Sequence, residues 1–137
     1  MKKEKDPTFI NDTIIPLIQS FQDDRGIIKG LVSFDKPKIQ SALIIESNKG
    51  AIRANHYHKN DWHYCYVISG SIEYYERPVG NNSDPTLTVI KTGEMFYTGP
   101  MVEHAMVFPE DTVFLTLAGG IRSHKDYESD LVRVKLV

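Results

Sequence analysis

The chain of 137 residues has a single cysteine, Cys65, and a single tryptophan, Trp62. One thiol excludes an intramolecular disulfide and suits a reducing compartment, so the cytoplasm is the expected location. No apolar run approaches the ~18 residues of a membrane span. The first residues, MKKEKDPTF, are basic but lack the apolar core of a signal peptide. An excess of charge of either sign is lacking, although charged residues at 25% are ordinary for a globular protein. Sixteen Lys and Arg against 18 Asp and Glu leave a formal net charge of −2, which gives no general electrostatic grip on nucleic acid. The acidic residues do not gather into a tail. A nucleotide-binding glycine loop, a serine-nucleophile motif and any helical period longer than two turns are also missing.

What the chain does have is a succession of short β-type runs cut by turn residues. Residues 1–12 are charged and turn-rich and are expected to form a flexible arm, with a single domain over 13–137. Thr13–Ile18, interrupted by Pro16, reads as an edge strand. Phe21–Gly26, FQDDRG, reads as a tight turn. Strands are expected over Ile27–Phe34, Ile39–Glu46, Ala51–His58, Tyr64–Ile68, Ser71–Arg77, Leu87–Ile90, Met95–Thr98, His104–Phe108 and Thr112–Ala118. Residues 121–130 read as polar and irregular, and Leu131–Val137 as a last strand. About ten short strands with regularly spaced turn signals argue an all-β chain, a small antiparallel barrel or sandwich.

Three of the five histidines, His56, His58 and His63, lie between Gly50 and Gly70, and His104 follows a second turn segment, Gly93–Met101. Strict alternation along Ala51–His58 puts Ile52, Ala54, His56 and His58 on one strand face and Arg53, Asn55 and Tyr57 on the other. The polar turn Lys59–Trp62 returns the chain so that His63 meets the first pair. Converging imidazoles are a ligand set for a divalent transition metal ion, Fe, Mn, Ni, Zn or Cu, without preference among them. A lone histidine such as His124 reads as an ordinary polar residue.

These residues resemble the two motifs of the cupins. The first motif, a glycine, five residues, His-x-His, three or four residues, a glutamate, six residues and a glycine, is similar to Gly50, His56, His58, His63 and Gly70, with His63 in the glutamate place. The second is matched at Gly93 and His104, while Gly99, Met101 and Phe108 stand where proline, glycine and asparagine are usual. The resemblance implies a jelly-roll barrel and a metal site at His56, His58, His63 and His104. Imidazole in place of the carboxylate leaves all four ligands neutral, so a divalent ion would keep its full charge and favour an anionic ligand or an enediolate.

FQDDRG and the strand IRANHYH also resemble a subset of cupins, the deoxysugar-nucleotide 3,5-epimerases and 3,4-ketoisomerases of surface polysaccharide synthesis. Their Arg-Gly-x-His strand appears here as Arg53-Ala54-Asn55-His56. The resemblance implies that His56 is a general base beside a keto group, that Tyr97 or Tyr75 is the acid, and that Arg25 or Arg53 holds the diphosphate. The function expected is therefore that of a metal-binding isomerase or epimerase of a nucleotide-linked keto sugar. The alternatives are a metal-dependent dioxygenase or lyase of a small molecule, and a non-enzymatic binder of a small metabolite. The expected partners are a small-molecule substrate and a second copy of the chain, paired through Leu131–Val137. No nucleic acid or membrane is expected. Cys65 is read as packing on the strand face away from His63, Trp62 as a cover for the site or a wedge in the core, and Glu94 or Glu103 as a group orienting a histidine.

Overall fold

A computed structural model describes residues 13–33, 38–120 and 124–137. The expected arm 1–12 lies outside the described residues, as do Phe34 and Pro37 of the expected strand end and its break. The strands are β1 (Ile14–Ile15), β2 (Gln19–Asp23), β3 (Gly26–Gly30), β4 (Ser41–Ser47), β5 (Ile52–His58), β6 (His63–Ser69), β7 (Ser71–Pro78), β8 (Thr86–Lys91), β9 (Met95–Thr98), β10 (Val102–Val107), β11 (Thr112–Ala118) and β12 (Leu131–Arg133). One helix, α1 (His124–Asp130), precedes β12.

The strands form two facing five-stranded antiparallel sheets, ordered β1-β9-β6-β11-β4 and β12-β5-β10-β7-β8, and among the described residues β2 and β3 pair only with each other. The fold is an antiparallel jelly roll. Alternation drives it. Along β11, Thr112, Phe114, Thr116 and Ala118 are buried while Val113, Leu115 and Leu117 between them are half-buried. Along β7, Ile72, Tyr74 and Glu76 point inward. The inner faces trap Val67, Ile72, Tyr74, Ile90, Phe96, Phe108 and Phe114 as a core. This core fills one end of the barrel. On β6, the inward row runs His63, Cys65, Val67, and on β10 it runs His104, Met106 before reaching Phe108. Each row passes from imidazole to hydrocarbon, so the histidines occupy the other end.

Several expectations are corrected. FQDDRG is not one turn: Phe21–Asp23 belong to β2 and Gly26 to β3, and only Asp24 and Arg25 turn the hairpin. Within 121–130, residues 124–130 form a helix rather than irregular chain. The last strand stops at Arg133 and pairs with β5 of its own sheet. Beyond it, Val134 N–H donates to Asn55 O, and the N–H groups of Leu136 and Val137 donate to Asn55 Oδ1. The C-terminal segment is thus tied to its own chain.

The alternation along β5 is also broken. Ala54 and Asn55 have positive φ, 68° and 55°. The register with β10 passes from His104↔His56 to Ala105↔Ala54, leaving Asn55 as an extra residue. This is a β-bulge, which bends the strand and re-aims its side chains. Ile52 is consequently 54% exposed instead of facing inward. Arg53 now lies across the ladder from Met106, and both line the interior cavity.

Candidate metal centre and cavity

Sheet topology gathers the four histidines. His56 and His104 are direct partners across the β5–β10 ladder, and His58 is two residues further along the same face of β5. His63 opens β6 on the facing sheet. All four are buried, from 0% exposure for His104 to 7% for His63. Ring centroids are 4.8 Å apart for His56–His58 and His56–His104, 5.5 Å for His58–His63 and His63–His104, and 5.8 Å for His58–His104. One ligand nitrogen each of His56, His58 and His104 lies within 4.8 Å of the others.

Two hydrogen bonds fix how these rings present themselves. His104 Nδ1 is 2.9 Å from the carbonyl oxygen of Val102, which can only accept, so Nδ1 carries the proton and Nε2 the lone pair. His58 Nδ1 is 3.2 Å from Asp130 Oδ2. A carboxylate likewise selects the Nδ1–H tautomer. The Nε2 atoms of both rings and both nitrogens of His63 are shut off from solvent. A carboxylate or carbonyl behind each imidazole, with the lone pair turned to the common centre, is the usual second layer of a metal site. The donor set of His56, His58 and His104 therefore fits a divalent transition metal, while His63 does not belong to that close group.

Asp130 comes from the end of α1. Its Oδ1 accepts from Asn60 N–H at 2.9 Å and Asn60 Nδ2 at 3.1 Å, and its Oδ2 from Asp61 N–H at 3.1 Å. Burial works to raise its pKa. The backbone N–H groups of Asp61 and Asn60, the Asn60 amide and His58 outweigh that and hold it below the ordinary 3.8. Glu94 and Glu103 do not play this part. Glu94 Oε1 accepts from Lys91 N–H, and Glu103 pairs with Arg77 at 2.7 Å.

Beside the histidines lies a cavity of about 470 Å³, within the range of small-molecule sites. His56, His63 and His104 line it together with the apolar side chains of Leu43, Ile45, Met106 and Phe114. Cys65 also lines it, which corrects its expected outward direction: it stands two residues after His63 and shares that face. Its Sγ is 3.4 Å from Thr116 Oγ1. Trp62 packs its ring edge-on to Tyr64 and against Gly119, beside a second depression shared with Asp61 and Asp130, and is no wedge in the core cluster.

The other expected site residues separate into those near the cavity and those away from it. Arg53 lines it, with Nε donating to Ser47 Oγ at 2.7 Å and a terminal nitrogen to Glu46 O at 3.0 Å. Arg25 sits at the exposed tip of the β2–β3 hairpin, paired with Asp23 at 2.6 Å. That pairing, through the Arg25 side chain and then its backbone N–H, lowers the Asp23 pKa. Tyr75 alternates with the inward Tyr74 and so faces out. Tyr97 alternates with the buried Phe96 and packs on Tyr64 at 4.7 Å between centroids. Burial, then the neighbouring Tyr64, pushes the Tyr97 hydroxyl up. The tyrosine that does line the cavity is Tyr127, with its ring 5.7 Å from His58 and 6.3 Å from His56. Tyr127 and Asp130 lie in a seven-residue helix, too short for periodicity to reveal. Glu76, 1% exposed and directly across the ladder from His104, is a third residue the motif spacing does not reach.

Neither the protein-family models nor the curated proteins give a match to this sequence. Solved structures do. The 3,4-ketoisomerase QdtA from Thermoanaerobacterium thermosaccharolyticum, as a double mutant in complex with TDP, superposes with a TM-score of 0.71 at 22% identity, over 90% of this chain and 89% of that one. A 3,4-ketoisomerase from Helicobacter canadensis gives 0.69 at 18% identity, over 85% and 86%. The dTDP-4-dehydrorhamnose 3,5-epimerase from Sulfolobus tokodaii gives 0.64 at 19%, over 82% and 70%. At these identities the likeness is one of fold, and it falls on the same group that FQDDRG and IRANHYH resemble.

Proposed function

We propose that the chain is an isomerase or epimerase of a keto sugar carried on a nucleotide, serving polysaccharide synthesis, with a divalent transition metal held by His56, His58, His63 and His104. The observation that carries this is the largely apolar cavity lined by His56, His63 and His104, with His58 beside them and Arg53 among its lining residues. The apolar wall of Leu43, Ile45, Met106 and Phe114 excludes water from a bound sugar ring. Arg53 faces the phosphate, because a guanidinium matches phosphate oxygens in pairs. Tyr127 takes the acid's role, since Tyr97 and Tyr75 face away from the cavity. A divalent ion would polarise the keto oxygen and offset enediolate charge. Asp130 and the Val102 carbonyl keep His58 and His104 in the tautomer that suits ligation.

A metal-free form of the reading gives His56 the proton transfer alone, and its place in the cavity lining favours it for that role. The two forms separate in one experiment. Untagged protein and a His56→Ala, His58→Ala double variant are compared by elemental analysis. Each is then given TDP-4-keto-6-deoxyglucose, the sugar nucleotide bound by a variant of QdtA, in D₂O. Stoichiometric metal in the first protein alone, with deuterium entering beside the keto group, is the expected outcome. Exchange without metal moves the acid–base form to first place. No exchange with any of Mn, Fe, Ni, Cu or Zn sinks the isomerase reading.

A second copy of the chain is part of the proposal. The β2–β3 hairpin exposes Phe21 (57%), Ile27 (50%) and Ile28 (70%), with Ile18 (57%) just before it. A lone two-stranded hairpin is marginal in water, so an apolar one calls for cover. Its arginine, Arg25, is away from its own cavity and would reach phosphate only across such a pairing. A mass in solution equal to one chain at micromolar concentration would remove this part.

A further inference from the structure

We infer that Glu76 supplies a second negative charge, beside that of Asp130 behind His58, to a site whose four imidazoles are neutral, acting on a bound cation from behind His104 without ligating it. The inference rests on the metal form of the proposed function. Glu76 lies directly opposite His104 across the β10–β7 ladder, and both side chains point into the barrel. Direct cross-strand partners place their Cβ atoms about 5 Å apart. Glu76 is also inward in the same row as Tyr74, whose ring is 6.3 Å from His104. Thr13 donates its hydroxyl to Glu76 Oε2. Thr13 (3%), Thr86 (7%) and Thr98 (1%) are buried, and the first two border the carboxylate, Thr86 as its partner across β8. Thr98 is the ladder partner of His63 and shares a short hydrogen bond of 2.5 Å with the Tyr74 hydroxyl. A layer of polar side chains therefore crosses the barrel beside the histidine cluster, with one carboxylate in it.

A carboxylate at this ladder position, buried among hydroxyl side chains, acts on a cation at the far side of His104 through a poorly screened interior. The cupin motif puts a carboxylate in the ligand set itself. Here His63 occupies that place, and Glu76 restores a negative charge one layer further out. Such outer partners typically change metal affinity by about 10- to 100-fold.

The test is the affinity for Zn²⁺ and Ni²⁺, read by competition with a chromogenic chelator, in the wild type and in Glu76→Gln, Glu76→Asp and Thr13→Val. Glu76→Gln keeps an oxygen for Thr13 and loses the charge, so it should weaken both ions about 10- to 100-fold. Glu76→Asp keeps the charge and should stay within a few-fold of wild type. Thr13→Val removes the hydrogen bond and leaves the charge, and it should also stay within a few-fold. Equal losses in Glu76→Gln and Thr13→Val mean that Glu76 acts through packing, which overturns the inference. So does a Glu76→Gln variant that binds like wild type. A wild type that binds neither ion sinks the metal site beneath it, and the inference with it. If Glu76→Gln does not fold, Glu76→Met, close in volume and uncharged, takes its place with the same expected loss.

Discussion

Replacing Asp130 by asparagine tests whether the hydrogen-bond layer behind His58 sets the chemistry of the site. The carboxylate accepts four hydrogen bonds, two on each oxygen, from Asn60 and from Asp61 and His58. An amide has one oxygen. If that oxygen stays with Asn60, the new NH₂ faces His58 Nδ1. The imidazole must then accept there and carry its proton on Nε2, where a ligand's lone pair is needed. If the oxygen stays with His58, the NH₂ points at two donors of Asn60. The first arrangement loses fewer hydrogen bonds and is the one expected. Metal affinity should fall about 10- to 100-fold, equivalent to about 1.4–2.7 kcal/mol. Losing one charge-assisted hydrogen bond at a site this little exposed should cost the metal-free protein about 1–2 kcal/mol. For a chain of this length that is roughly 3–7 °C in Tm. Chelator competition with Zn²⁺ and thermal melting of the metal-free variant measure the two effects separately. Zinc affinity within threefold of wild type would refute the reasoning, because His58 would then choose its tautomer without Asp130.

Acid should bear on the same group. The folded-state pKa of Asp130 is depressed, so its contribution is full above the unfolded value near 4 and is lost as pH falls through the lower folded value. Melting between pH 5 and 2 should therefore fall less steeply in Asp130→Asn than in wild type, and parallel curves would contradict this. Gly70 and Gly50 have nearly equal φ, 89° and 85°, but a Cβ at Gly70 would lie 2.4–2.8 Å from Thr112 and the Asp111 carbonyl, while one at Gly50 meets nothing within 4 Å. Gly50→Ala should cost about 1 kcal/mol, and Gly70→Ala about 2–3 kcal/mol more, by chemical denaturation. Equal costs would mean that close approach at Gly70 is not what its glycine serves. Tyr127→Phe should lower turnover of the keto sugar about 100-fold or more, with Tyr97→Phe and Tyr75→Phe within a few-fold of wild type. The reverse order in initial rates would return the acid to the outer face of the sheets.

The parts of the fold legible in the sequence are those governed by short-range rules. Alternation placed the strands, and the two-residue step between His56 and His58 put both rings on one face. The return through Lys59–Trp62 brought His63 to meet them. What escaped depends on contacts between distant segments. Asp130 reaches His58 across 72 residues of sequence, and its helix is too short to show a period. Glu76 sits in a strand whose pattern is ordinary. Only its ladder position opposite His104, which no local rule supplies, gives it meaning. The hairpin at Phe21–Gly26 escapes the sequence for a related reason. FQDDRG has turn composition throughout, but pairing of Phe21 with Ile28 and Asp23 with Gly26 extends the strands to within two residues of the tip.

The bulge in β5 joins these strands of argument. The motif resemblances put glycine at positions 54 and 101, where this chain has alanine and methionine. The backbone is left-handed at both all the same, with φ of 68° at Ala54 and 60° at Met101. Left-handed geometry costs an L-residue roughly 1–2 kcal/mol, so the fold imposes it against local preference. At Ala54 and Asn55 the return is visible. The extra residue sets Arg53 across from Met106 at the exposed rim of the cavity, and it frees the Asn55 side chain to hold Leu136 and Val137. At Met101 the N–H donates to His58 O at 2.8 Å, fixing the strand that carries the ligand pair. The strained pair therefore links the C-terminal segment, the arginine and the histidines in one local event. Strain kept where a flatter strand was available is better explained by what it positions than by the stability of the barrel.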